Sequence, residues 1–488
     1  MEKFFQIVSW AGLFLYWLLI ASVTVRVVFR RRAPGVSIAW LMVIYILPIL
    51  GVFLYLLVGE LNLGKKRAER AKAMFSSFES WLRKLRACTN HAPQLLNQQS
   101  RNVSDLCFHR LGIPALAGNS MELKDNPAKI LSAIETDIAS AKTHINMVFY
   151  IWYPGGDADR VAQAICDAAH RGVAVRVMLD SAGSKEFFKS PWPSEMRDAG
   201  VELIEALSVS PLRMFFRRLD IRQHRKIVVI DNNIAYTGSM NMVDPRFFKQ
   251  NAGVGQWVDI MVRLTGPAVP VINSVFSWDW EVETGIRDLP PLPECDVAAE
   301  KATADDPHAI QVIPSGPGMP DGVIQQVLML AIHQAQRSIT ITTPYLIPSE
   351  SLLNALRTTA ERGVKVNLII PAKNDSLMVD WASRSFFSEL MLSGILIYRF
   401  DGGLLHTKSV VIDEEFCFIG TVNLDMRSLW LNFELTIAVE DPEFCQQLVE
   451  LQKSYTHKSE ILDFDMWQKR SVVNKPIEQF FYMFAPLL

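Results

Sequence analysis

Residues 406–423, HTKSVVIDEEFCFIGTVN, set a histidine and a lysine two positions apart at the head of an apolar run that closes on an acid. In an extended chain alternate side chains share a face, so His406 and Lys408 point one way while Ser409 and Val411 point the other. Taken alone, the pattern fits a strand whose polar end emerges into solvent. It does not stand alone. Residues 224–241 read HRKIVVIDNNIAYTGSMN and align His224, Lys226, Asp231, Gly238, Ser239 and Asn241 with His406, Lys408, Asp413, Gly420, Thr421 and Asn423. Chance does not produce a six-position match twice in a chain of ordinary residue usage.

Two further blocks repeat. IASAKTHINM at 138–147 resembles IHQAQRSITI at 332–341, and AAHRGVAVRVMLD at 168–180 resembles TAERGVKVNLIIP at 359–371, each joining a helix end to a strand. The copies keep their order and differ in loop length, which implies two homologous α/β halves. Runs such as VAVRVML and VKVNLII are apolar on both faces, as strands covered by helices on both sides must be. The fold expected is an α-β-α sandwich, twice, related by a pseudo-twofold axis, so that the two motifs meet at one cleft.

The 488 residues carry 49 basic and 51 acidic side chains, a net charge of −2 that argues against a long nucleic-acid partner. Cys88, Cys107, Cys166, Cys295, Cys417 and Cys445 show no CxxC and no metal-like spacing, so they are expected as free thiols with no zinc site. The first 60 residues differ in kind. No charge occurs from Phe4 to Val25 or from Val36 to Val58, which predicts a hairpin of two membrane helices over 1–64. Arg26, Arg30, Arg31 and Arg32 lie between the spans, while Lys3, Lys65, Lys66, Arg67, Arg70 and Lys72 flank them, which leans the body to the cytoplasmic side.

Residues 65–118 read as a basic segment whose stretch 65–87, with Phe75, Phe78, Trp81 and Leu82, forms an amphipathic helix lying on lipid or connecting through solvent. The first half is placed at 119–287, a proline-rich and acidic linker at 288–308, and the second half at 309–488. Arg213, Met214, Phe215, Phe216, Arg217, Arg218 and Arg222 mix charge and apolar bulk, which suits an anionic headgroup region or an ordinary charged loop. The apolar tail 477–488 either touches lipid or docks on the core.

Two histidines, two lysines and two asparagines in one cleft make a metal-free phosphate site. Ammonium and amide donors neutralise and position nonbridging oxygens, which is most of what phosphoryl transfer requires. One neutral imidazole attacks phosphorus and the other, protonated, donates to the departing oxygen, giving a phosphohistidine. Each imidazole needs a carboxylate to fix its tautomer. Glu434 in LNFE and Asp259 in QWVD are the candidates. Asp231 and Asp413 end their strands and read either as catalytic participants or as turn-makers.

These residues resemble the phospholipase D superfamily, with its H-x-K-x4-D and G-[ST]-x-N signature. The resemblance covers residues 120–488 and implies His224 and His406 as nucleophile and general acid, with Lys226, Lys408, Asn241 and Asn423 on the phosphate and no cofactor. It favours His224 as the nucleophile. Ser239 and Thr421 occupy the hydroxyl position. Narrower stretches, YIWYPGG, SPWP, GSMNMVDPR, TTPYLIPS and GTVNLDMRSLWLNFE, with YWLLIASVT and VGELNLGKKRAERA in the hairpin region, resemble bacterial cardiolipin synthases of the two-span type. That resemblance implies an inner-membrane, multi-pass enzyme that moves a phosphatidyl group from one phosphatidylglycerol to another, with phosphatidylglycerol, cardiolipin and the bilayer as partners. A phospholipid hydrolase, in which water resolves the phosphohistidine, is the competing expectation, and a nuclease a weaker one.

Overall fold

The computed structural model describes residues 1–30, 34–60, 64–88, 97–208, 218, 220–292, 309–485 and 488. They form two compact units, one of residues 1–67 with 209–221 and one of residues 68–208 with 222–488.

In the first unit, helix Glu2–Phe29 runs 28 residues, with Phe4, Phe5, Trp10, Phe14 and Trp17 exposed. At 1.5 Å per residue it spans roughly 42 Å. Among the described residues it is the one helix long and apolar enough to cross a membrane. The second apolar run, expected as one span, is instead two helices, Pro34–Ile46 and Pro48–Leu54, followed by a wide turn at Tyr55–Gly59. Proline lacks the N–H and its ring crowds the preceding turn, so the helix breaks at Leu47, whose φ is −127° and ψ 70°. Glu60 ties the polar end together, accepting two bonds from Arg26 at 2.8 Å and one from Tyr55 at 2.6 Å.

The second unit holds two large sheets built in the same order. The first runs Ser120–Lys124, Met261–Thr265, Ile234–Gly238, Ile227–Ile230, His144–Phe149, Ala174–Asp180 and Glu202–Ala206. The second repeats it as Ala309–Ser315, Glu434–Glu440, Phe416–Gly420, Ser409–Ile412, Ser338–Thr342, Lys365–Pro371 and Leu396–Phe400, with Leu116–Ala117 and Ser459–Ile461 added at its edges. The parallel strands Ala174–Asp180 and Lys365–Pro371 correspond to the two apolar runs read as doubly covered. Helices such as Pro127–Ala139 and Asp157–His170 cover the outer face of the first sheet. Between the sheets, Val148, Ile227 and Val262 of the first pack with Val312, Ile419 and Leu435 of the second. Helix Ala268–Thr284 lies in this shared layer, with every residue from Ala268 to Val282 buried.

That shared core also takes up helix Lys65–Cys88. Met74, Phe78, Trp81, Leu82 and Leu85 are buried in it, and the Trp81 indole donates to the Pro290 carbonyl at 2.8 Å. The apolar face is therefore spent on protein rather than on lipid or solvent, although Phe75 remains exposed. The C-terminal helix Asn474–Tyr482 buries Glu478 and packs Phe481 on the core, while Phe480 and Met483 stay exposed. All of residues 211–217 of the arginine-rich stretch, and residues 293–308 of the linker, lie outside the described residues. Cys107, Cys166, Cys417 and Cys445 are buried free thiols.

Candidate active site

The hydrogen-bonded ladders begin at Ile227 and Ser409, one residue after each lysine, so the histidines and lysines sit on extended lead-ins to two central strands. Those lead-ins do not emerge into solvent. His224 and His406 are 7% and 3% exposed, and Lys226 and Lys408 are 0% and 3%. Each lead-in pairs with the other half. Gln223 bridges Phe433 in parallel, with the His224 amide donating to the Phe433 carbonyl at 3.0 Å. Leu404–Leu405 pairs with Trp257–Val258, and the His406 amide donates to the Val258 carbonyl at 2.9 Å.

The residue after each partner is an acid, so the carboxylates are exchanged between halves. His224 Nδ1 lies 2.8 Å from Oε2 of Glu434, and His406 Nδ1 lies 2.7 Å from Oδ1 of Asp259. An ionised carboxylate only accepts, so Nδ1 carries the proton and the Nε2 lone pair is left free. Behind each acid stands the hydroxyl of its own half: Ser239 donates to Asp259 at 2.6 Å and Thr421 donates to Glu434. Gly238 and Gly420 precede these hydroxyls because a Cβ at either would run into the carbonyl of Ile260 or Leu435 on the acid-bearing strand.

Burial drives both imidazoles down to about 4, against the pull of Glu434 on His224 and of Asp259 on His406. Burial also lowers the ammonium groups, Lys226 to about 7 and Lys408 to about 8, and the charge of Lys408 adds to the effect on Lys226. By itself burial would raise Asp259 and Glu434, yet their histidine, lysine and hydroxyl partners hold both below the ordinary carboxylate range. The two lysines act on both histidines, so the two motifs contribute to one electrostatic site.

Among the described residues Lys226 and Lys408 each donate one hydrogen bond, to the carbonyl of His224 and of His406, which leaves further N–H groups for an anion. Asn241 accepts from the Ile151 amide at 3.1 Å, while its buried Nδ2 has no hydrogen-bond partner among the described residues. Asn423 breaks the symmetry by donating to Asp425 at 3.0 Å. Burial raises the Asp425 carboxyl, and the nearby Glu434 adds to that.

Asp231 and Asp413 require a correction, because the catalytic reading does not match their place. Asp231 accepts from the amides of Lys142, Thr143 and His144 at 2.7 to 3.0 Å, and Asp413 accepts from those of Arg337 and Ser338 at 2.7 and 2.9 Å. Each sits at the far end of its strand from the histidine, at φ +52° or +54°, in the tight hairpin that follows. They fasten the start of the neighbouring strand, the turn-making alternative.

Several site residues carry no signature of their own. Tyr150 packs edge-on to His224 at 5.2 Å between ring centroids, and Trp257 lies 4.3 Å from His406. Arg225, fully buried, pairs with Asp279 and donates to the carbonyls of Glu434 at 2.9 Å and Ser315 at 3.2 Å, so it pins the acid-bearing strand to the first motif. Its position between His224 and Lys226, pointing to the opposite face, is the one sequence cue that could have marked it.

A family model described as "Cardiolipin synthase, PLD-like domain" matches residues 134–280 and 328–454, and one described as "Phospholipase_D-nuclease N-terminal" matches residues 18–60. The chain belongs to the cardiolipin synthase family of phospholipase D-like proteins. Proteins named cardiolipin synthase A from Yersinia pseudotuberculosis and Yersinia pestis are each 51% identical to it over 489 residues, covering 100% of both chains. Among solved structures, phosphatidylserine synthase of Haemophilus influenzae aligns with a TM-score of 0.56 at 14% identity, over 79% of this chain and 97% of that one. At that identity the likeness speaks for the fold alone. It agrees with two phospholipase D-like halves in the family member described here.

Proposed function

We propose that the two half-sites carry out one phosphatidyl transfer between two molecules of phosphatidylglycerol. The chain is a phosphatidyltransferase of the phospholipase D superfamily, with the activity of a cardiolipin synthase and phospholipid substrates. The observation that carries the residue assignment is the exchanged pairing of His224 with Glu434 and His406 with Asp259.

In the first step Nε2 of one histidine attacks phosphorus of the donor, a P–N bond forms, and the P–O bond to glycerol breaks as the other imidazolium gives its proton to the leaving oxygen. In the second, a terminal hydroxyl of the acceptor gives its proton to the now neutral imidazole, its oxygen bonds to phosphorus, and the P–N bond breaks. Cardiolipin and glycerol result. Lys226, Lys408 and Asn241 hold the nonbridging oxygens, and the entering phosphate anion raises the depressed imidazoles toward the protonated form the acid needs. Family resemblance favours His224 as the nucleophile. The body, residues 119–287 and 309–488, works at the bacterial inner membrane, anchored by an apolar hairpin in residues 1–64 and facing the cytoplasm.

The test is purified protein in vesicles of labelled phosphatidylglycerol, with both products followed by mass spectrometry. Cardiolipin and glycerol should appear in equal amounts, with added glycerol driving cardiolipin back. Phosphatidic acid as the main product, insensitive to glycerol, would make the enzyme a hydrolase.

A further inference from the structure

His406 is flanked, through Trp257, by a cluster that phosphate chemistry does not use. The Trp257 ring lies tilted against that of His406, 4.3 Å between centroids, and Lys249 lies over Trp257 at 5.3 Å and over Phe248 at 5.5 Å. The ammonium of Lys249 reaches across to the second half and pairs with Asp375 Oδ2 at 2.9 Å, while the Tyr345 hydroxyl donates to Asp375 Oδ1 at 2.9 Å. The loop that presents Asp375 is fastened by Asn374, which donates to the Pro344 carbonyl at 2.8 Å and accepts from the Ser376 amide at 3.0 Å. Lys249 itself stands at φ +48°, a conformation costly for a lysine and kept here by the surrounding contacts. The Asp375 side chain is 5% exposed and that of Lys249 44%.

The His224 side is built differently. There Tyr150 borders the imidazole, and the arginines that act on Tyr150 are Arg222 and Arg427. The two histidine–carboxylate pairs are thus alike and their surroundings are not. An asymmetric cleft suits a reaction whose two ends differ, one keeping the diacylglyceryl phosphate and the other exchanging an alcohol.

From this arrangement, and resting on the phosphatidyl-transfer reading above, we infer that Asp375, Tyr345 and Lys249 form the subsite that recognises a vicinal-diol headgroup, the glycerol unit that leaves and the glycerol unit that accepts. A carboxylate has about four lone-pair positions, of which the two neighbours use two, so hydroxyl donors can take the rest. The Tyr345 oxygen and the remaining N–H groups of Lys249 supply the acceptor and donors that complete a polyol. The ammonium of Lys249 also repels headgroups that carry an amine, which a carboxylate alone would attract. Held there, the primary hydroxyl faces Nε2 of His406, which takes its proton as the oxygen bonds to phosphorus and the P–N bond to the other histidine breaks. These are positioning and specificity residues for the acceptor, separate from the groups on phosphorus.

The test runs the full-length protein in mixed micelles on cardiolipin with increasing glycerol, and then with ethanolamine in its place, following every phosphatidyl product. Asp375→Asn should raise the KM for glycerol about tenfold with a smaller fall in kcat, and shift product from phosphatidylglycerol toward phosphatidic acid as water takes the unfilled place. Tyr345→Phe, the milder change, should move both in the same direction. Lys249→Met should raise the ratio of phosphatidylethanolamine to phosphatidylglycerol several-fold. A uniform loss of kcat with the glycerol KM and the product ratio at wild-type values in all three would overturn the subsite and leave a structural clamp between halves. Failure of the functional reading is seen elsewhere, as wild-type protein that yields phosphatidic acid at every glycerol concentration, and that result would overturn the subsite with it.

Discussion

His224 and Glu434 are separated by 210 positions in the chain and by 2.8 Å between Nδ1 and Oε2. The same exchange joins His406 to Asp259 across 147 positions, so neither half contains a complete imidazole–carboxylate pair. Glu434→Gln and Asp259→Asn keep the shape but lose the charge that fixes the tautomer, and each should lower the rate of cardiolipin formation by about 10²–10⁴-fold. Thr421→Val, which removes the hydroxyl behind Glu434, should cost less, about tenfold. Initial rates at saturating lipid check all three.

The depressed groups set a pH window. Burial lowers the imidazoles to about 4, and the lysines Lys226 and Lys408 to about 7 and 8. The profile of kcat/KM should therefore fall on the acid side toward pH 4, as the nucleophile protonates, and on the alkaline side from pH 7 to 8, as the phosphate-binding charge is lost. Stability follows a related rule. Histidines whose folded value lies below the unfolded 6.5 take up protons first in the unfolded chain. Their contribution is present above pH 6.5 and is lost as pH falls toward 4. Thermal melts of the lipid-free protein should show this decline, and His224→Ala should flatten it.

Arg225 and Asp279 are 0% and 2% exposed and face each other behind the site. Arg225→Ala leaves a buried carboxylate without its cation and should destabilise the body by about 3–5 kcal/mol. Arg225→Met combined with Asp279→Leu should recover most of that stability in denaturant unfolding. Activity should recover less, because the guanidinium also holds the Glu434 and Ser315 carbonyls.

Lys226, Lys408 and the amide donors supply the positive charge that divalent ions supply in other phosphoryl-transfer sites. Incubation with a chelator followed by assay should leave the rate within about twofold of the untreated protein. A loss restored by one equivalent of a divalent ion would contradict this.

The repeat, the doubly covered strands and the two motifs were legible in the sequence because each is carried by local periodicity or by residues within 18 positions. The acids Asp259 and Glu434 were legible as candidates, yet their exchange was not, since it depends on bridges such as Gln223 to Phe433 between distant segments. Asp231 and Asp413 looked chemical because they recur with the histidines. They recur because the hairpin after each strand recurs. The helix at Lys65–Cys88 shows the same limit: amphipathicity marked an apolar face, and only the tertiary fold shows Trp81 and Leu85 buried with Trp278. Pro48 was visible within the second apolar run, and its helix-breaking effect outweighed uninterrupted hydropathy.

Two-step transfer requires that one of the two histidines become covalently phosphatidylated while the other handles protons. The most direct measurement is rapid acid-free quenching of the full-length enzyme during turnover on phosphatidylglycerol, followed by peptide mass spectrometry. A phosphatidyl group is expected on one imidazole, on His224 by family resemblance, that decays as cardiolipin forms and is absent from His224→Ala. Cardiolipin produced at the wild-type rate with no phosphatidyl group on either His224 or His406 would contradict two-step transfer.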